Sequence, residues 1–94
     1  MKFVWYWEWD PNEIEEVLER SETFEKLLKD HPDQFPKLSE PILTGRGQGF
    51  RLIEAENEEQ LMNITAFWWP FENWELVPYF NGFDYIKVWQ KWNK

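Results

Sequence analysis

Glu54 is the penultimate residue of the run Phe50-Arg51-Leu52-Ile53-Glu54-Ala55, which reads as a β-strand. Successive strand side chains point to opposite faces, so Phe50, Leu52 and Glu54 share one face while Arg51, Ile53 and Ala55 share the other. Ile53 and Ala55 suit a face covered by helices, although Arg51 fits it poorly. Glu54 then points away from the helices, and the reading places it beside Trp5 and Trp7 of the N-terminal run. A carboxylate enclosed by aromatic rings has a raised pKa and can act as acid or base. Trp5, Trp7, Phe50 and Glu54 are therefore the candidate ligand-binding residues, with Glu54 the candidate catalytic group. Two plainer readings compete. Glu54 could be a rim residue paired with Arg46 or Arg51, and Trp5, Trp7 and Trp9 could be anchors of an interface.

Other chemistry finds less support. His31 is the sole imidazole, and no serine sits in a nucleophile-elbow context such as Gly-x-Ser-x-Gly. His31 could serve as an axial haem ligand, but it also stands where a helix end needs its last carbonyls bonded. With no cysteine and one histidine, no metal site is expected, and no cofactor is called for. Gly45, Gly47 and Gly49 precede a strand rather than a helix, so they read as a hairpin turn and not a phosphate loop. The glutamates of residues 13–25 stand four residues before Arg20, Lys26 and Lys29, the order of a solvated helix face.

The elements that would position these residues follow from periodicity. Residues 2–9 form a strand with Phe3, Trp5, Trp7 and Trp9 on one face and Val4 and Tyr6 on the other. Both faces are apolar, as in a strand covered on both sides. Asp10-Pro11-Asn12-Glu13 opens a helix, and Ile14, Val17, Leu18, Phe24, Leu27 and Leu28 carry its apolar period to His31-Pro32. A loop holding three prolines leads to a short strand at residues 42–46, a glycine hairpin and the strand 50–55. Asn57 and Gln60 cap a second helix bearing Leu61, Ile64 and Trp68, which Pro70 stops. Residues 74–80 form a fourth strand, an edge strand because of Pro78. Phe83, Ile86, Trp89 and Trp92 mark a short terminal helix.

The order β-α-β-β-α-β over residues 1–94 is one α+β domain of the ferredoxin-like plan, with an antiparallel sheet and its helices on one face. The first and third strands occupy the centre. The other sheet face is left bare although apolar, which marks an interface, and a homodimer is the economical partner. Residues Gly47 to Asn57, with Trp68-Trp69 and Trp74-Glu75-Leu76-Val77-Pro78, resemble an uncharacterised family of short proteins in the dimeric α/β-barrel superfamily. That resemblance implies two ferredoxin-like sheets closing into a barrel. It assigns no activity, although relatives in the superfamily include cofactor-free monooxygenases, isomerases and haem-binding enzymes.

Three functional readings follow. The chain could be a homodimer binding a small apolar or aromatic molecule in an aromatic-lined barrel. It could be a cofactor-free monooxygenase or isomerase using Glu54. It could be a structural or regulatory dimer with no ligand site. The N-terminal run is broken by Glu8 and lacks a cleavage site, and no stretch approaches ~18 apolar residues. A cytoplasmic, membrane-free protein is the expectation.

The net charge of −8, without a basic stripe, opposes polyanions, because phosphate contacts supply most non-specific nucleic-acid affinity. Fluorescence anisotropy with labelled DNA and RNA at ~150 mM salt should therefore show no micromolar binding. Salt-sensitive binding at that level would contradict the charge argument.

Overall fold

A computed structural model describes residues 1–71 and 73–93. Among these residues three α-helices and five strands follow the α+β order expected, with β1 (Lys2–Glu8), α1 (Ile14–Asp30), β2 (Lys37–Leu38), β3 (Ile42–Leu43), β4 (Gln48–Glu54), α2 (Glu58–Trp68), β5 (Trp74–Pro78) and α3 (Gly82–Trp92). The sheet is antiparallel and ordered β2-β4-β1-β5, with β3 also on β4. β1 and β4 are central and Pro78 lies on an edge strand, both as expected. This is the ferredoxin-like topology.

The expected second strand at residues 42–46 is instead two two-residue pieces along one side of β4. Pro41, between them, has no N–H to give to a ladder. Ser39 bridges the break: its N–H donates to the Leu52 carbonyl, and its Oγ accepts from the Leu52 N–H. The glycine hairpin is present, with Thr44 N–H bonded to the Gln48 carbonyl and Gly47 at positive φ, 73°.

Local signals set the helix starts. Asp10 accepts from the Asn12 N–H and Pro11 opens a 3-10 turn through Glu13, so α1 proper begins at Ile14 rather than at a capping box on Glu13. At α2, Asn57 Oδ1 accepts from Gln60 N–H at 2.9 Å, while Gln60 Oε1 reaches back to the Glu56 N–H at 2.8 Å. The backbone of His31, exposed at the end of α1, bonds the Leu27 carbonyl.

α1 and α2 cover one sheet face. Phe24 of α1 and Ile64 and Trp68 of α2 pack there with Trp5, Ile53, Phe35 and Ala55. Arg20 ties the helices together by donating from Nε to the Phe67 carbonyl at 3.1 Å, its guanidinium 4.6 Å from the Phe67 ring. Arg20, half-buried there, thus leaves the solvated face predicted for it, while Glu25 stays exposed. Leu18, by contrast, is 57% exposed although its spacing placed it on the buried face. The opposite sheet face carries Val4, Tyr6, Phe50, Leu52, Glu54, Glu75 and Val77, and no helix covers it.

Phe24 is 1% exposed, so Phe24→Ala should cost about 3–5 kcal/mol in urea denaturation. Leu18→Ala, at an exposed position of the same helix, should stay within about 0.5 kcal/mol. Equal losses would mean that α1 faces the sheet differently.

Candidate functional site

Strand register decides which residues meet. Trp5 stands opposite Arg51 on one side and Leu76 on the other, and Trp7 opposite Gly49 and Trp74. All belong to the face beneath α1 and α2. Phe50 stands opposite Tyr6, and Glu54 opposite Lys2 and Lys37, on the bare face. The sheet therefore divides the four predicted site residues two and two. The sequence reading joined them because β1 is apolar on both sides, which gave its parity no independent anchor. Arg51, the misfit on the helix face, is indeed there.

Glu54 lies exposed at the end of β4, with Lys2 and Lys37 as cross-strand neighbours. No aromatic enclosure surrounds it, so the condition set for its acid–base role is not met within the chain. Arg51 and Arg46 are not its partners either. Arg51, 7% exposed, donates from Nη1 to Glu25 of α1 and from Nε to the Ser39 carbonyl at 2.8 Å. One buried cation thus fastens helix, loop and sheet together. Phe50 and Trp7 both border a broad, open depression of about 640 Å³ at the Glu8–Gln48 end of the sheet, far along β4 from Glu54.

A better enclosed space lies between α1 and the sheet. It measures about 210 Å³, and Trp5, Trp7, Phe24, Trp68, Phe71 and Trp74 supply its aromatic wall. Val17 and Ser21 of α1 close it above, while the exposed Glu13, Leu18, Pro41 and Leu43 form a rim. Polar chemistry inside is sparse. Ser21 Oγ is spent on the Val17 carbonyl and Arg51 on Glu25 and Ser39. The indole N–H groups of Trp5, Trp68 and Trp74 are buried and have no hydrogen-bond partner. Each such donor costs about 1–3 kcal/mol of desolvation. Edge-to-face packing offsets part of it: Trp5 meets Phe24 at 5.8 Å and 76°, and Trp68 at 5.9 Å and 62°.

Trp7 keeps this wall in place through Gly49. A Cβ built on Gly49 would stand 2.8 Å from the Trp7 Cε2 and Cζ2 atoms and 2.8 Å from Leu43 Cδ2. The Trp7 indole therefore lies against bare backbone. Trp68, Phe71 and Trp74 were not singled out as site residues, although the strand parity of Trp74 with Leu76 would have placed Trp74 on the helix face. Among the described residues no group of three or more metal-ligating side chains occurs. Nor is any helix there long and apolar enough to cross a membrane.

Gly49→Ala should displace the Trp7 indole, change the near-ultraviolet circular dichroism and cost about 1–3 kcal/mol. Gly45→Ala, where nothing lies within 4 Å of the new Cβ, should leave the spectrum unchanged. An unaltered aromatic spectrum in Gly49→Ala would show that Trp7 does not rest on that glycine.

No curated protein and no solved structure matches the chain. A family model does, over residues 1–93, the span that contains the sheet, both covering helices and α3. With nearly every residue matched, the chain belongs to the family described as a domain of unknown function, DUF3303.

Proposed function

We propose that this protein binds a small, neutral aromatic molecule in the space between α1 and the sheet. The observation that carries the reading is the 210 Å³ aromatic-walled cavity. An apolar cavity of about 150 Å³ in another protein stays dry and takes up benzene, so this one has room for a single substituted ring. Sites for small molecules are typically apolar with a few polar groups. The three partnerless indole N–H groups are buried within the wall and present no surface to the space, so a ligand there meets aromatic faces and edges rather than hydrogen-bond donors. Glu8, Glu13 and Glu25 line the same space, and with a net charge of −8 they oppose an anion. The ligand sits on the helix-covered face with Trp5 and Trp7, and Phe50 and Glu54 take no part in it.

Acetophenone is a suitable probe and benzoate its anionic counterpart of similar shape. Acetophenone should quench tryptophan fluorescence saturably and move the indole N–H resonances of Trp5, Trp68 and Trp74, whereas benzoate should do neither. Ser21→Phe fills the cavity from α1 and should weaken acetophenone binding by about tenfold or more, a loss of about 1.4 kcal/mol. Tyr6→Ser, on the bare face, should leave it unchanged. Binding that survives Ser21→Phe in a folded protein, or that is lost in Tyr6→Ser, would move the site elsewhere.

A further inference from the structure

α3 has no buried residue. At 100° per residue, Val88, Trp92, Tyr85, Trp89 and Ile86 fall on one arc of about 160°, with Asp84, Lys87 and Lys91 across the helix. This apolar arc faces solvent, with Trp92 75% exposed, and Phe83 beside it is 81% exposed. An isolated helix shorter than about 12–15 residues is marginal in water. At eleven residues, α3 needs a surface to pack on.

The junction with the body holds α3 away from its own sheet. Tyr79 still donates to the Lys2 carbonyl at 3.1 Å, so the chain stays in line with β5 that far. Asn81 already caps α3, its Oδ1 accepting from the N–H groups of Phe83 and Asp84, and Phe80 stacks on Tyr85 at 5.8 Å. Little chain is left to reverse direction. The molecule is accordingly long, 50 × 32 × 21 Å, with a radius of gyration of 15.4 Å, where a compact chain of this length gives about 12.4 Å.

We propose that α3 is an exchanged arm: its apolar arc packs on the bare sheet face of a second copy, whose arm returns to the first. The area fits such a dimer. The chain exposes 7555 Å², against about 5,900 Å² for a compact protein of its mass. The excess, roughly 1,700 Å² per chain, gives a pair an interface within the ~2,000–5,000 Å² of obligate homodimers. Charge points the same way. Of the chain's 10 basic and 18 acidic residues, 3 and 1 lie in residues 82–94, so the arm carries +2 and residues 1–81 carry −10. By net charge an arm of +2 is attracted to a body of −10, whereas two bodies of −10 meeting sheet to sheet repel.

The chain has no cysteine, so introduced ones report without background. Leu52→Cys marks the sheet face and Val88→Cys the arm. Unfolded together, refolded and oxidised, the two variants should form a mixed disulfide of about twice 11.7 kDa, linking one copy's position 52 to the other's 88. Light scattering on the unmodified protein at micromolar concentration should also give the dimer mass. Ile86→Asp with Trp89→Glu should give a folded monomer with unchanged far-ultraviolet circular dichroism. Three results would overturn the exchange. A monomeric unmodified protein removes the dimer itself. Disulfides between two copies of Leu52→Cys, with no mixed product, mean a sheet-to-sheet dimer. A disulfide within one chain carrying both cysteines, at monomer mass, means that the arm folds back on its own sheet.

Discussion

Phe24 meets Trp5, Phe35, Phe67 and Trp68 at ring-centroid distances of 5.2 to 5.8 Å, and three elements are fixed at that point. Trp5 comes from the central strand, Phe24 from the middle of α1, and Phe67 and Trp68 from the last turn of α2. Edge-to-face contacts are directional, so they set the helix orientation as well as adding burial. Arg51 performs the polar counterpart by joining β4 to α1 and to the loop at Ser39. The same rings explain the cavity. Aromatic rings are rigid plates that cannot flow into irregular gaps as methionine does. Where α1 passes over Trp7 and Trp74, Val17 and Ser21 are too small to fill the space between them.

Much of the architecture is legible in the residues. The order of elements, the central places of the first and third strands and the edge position marked by Pro78 follow from alternation, capping and proline chemistry. The split of the second strand is written in Pro41, although its consequence depends on Ser39 bridging the break. The candidate site is less legible, for a specific reason. β4 states its own parity, because Ile53 and Ala55 are small and Phe50 and Glu54 are not. β1 carries aromatic residues on both faces, so its alternation cannot say which side turns toward the helices. Pairing Trp5 with Arg51 supplies what the sequence lacks. It puts Trp5 and Trp7 with the residue that seemed misplaced, and leaves Phe50 and Glu54 across the sheet.

That division gives the two sheet faces different tasks. The helix-covered face holds the rings, the buried cation and an unfilled space, which is where a ligand can be surrounded. The bare face is broad, apolar at Val4, Tyr6, Phe50, Leu52 and Val77, and edged by Glu8 and Glu75 and by Glu54 between Lys2 and Lys37. Such a surface holds a large partner better than a small one, because nothing encloses a molecule lying on it. A helix does not need enclosure: it needs a flat apolar strip about as long as itself. Eleven residues of α3 extend about 16 Å, and four strands spaced about 4.8 Å span a similar width. An arc of Tyr, Ile, Val and Trp thus matches the bare face in length and in chemistry. Because the cavity lies on the other side of the sheet, a ligand entering beneath α1 and a helix covering the far face would not compete for the same atoms. Each would press on the sheet from its own side, through β1, β4 and β5, which carry residues to both.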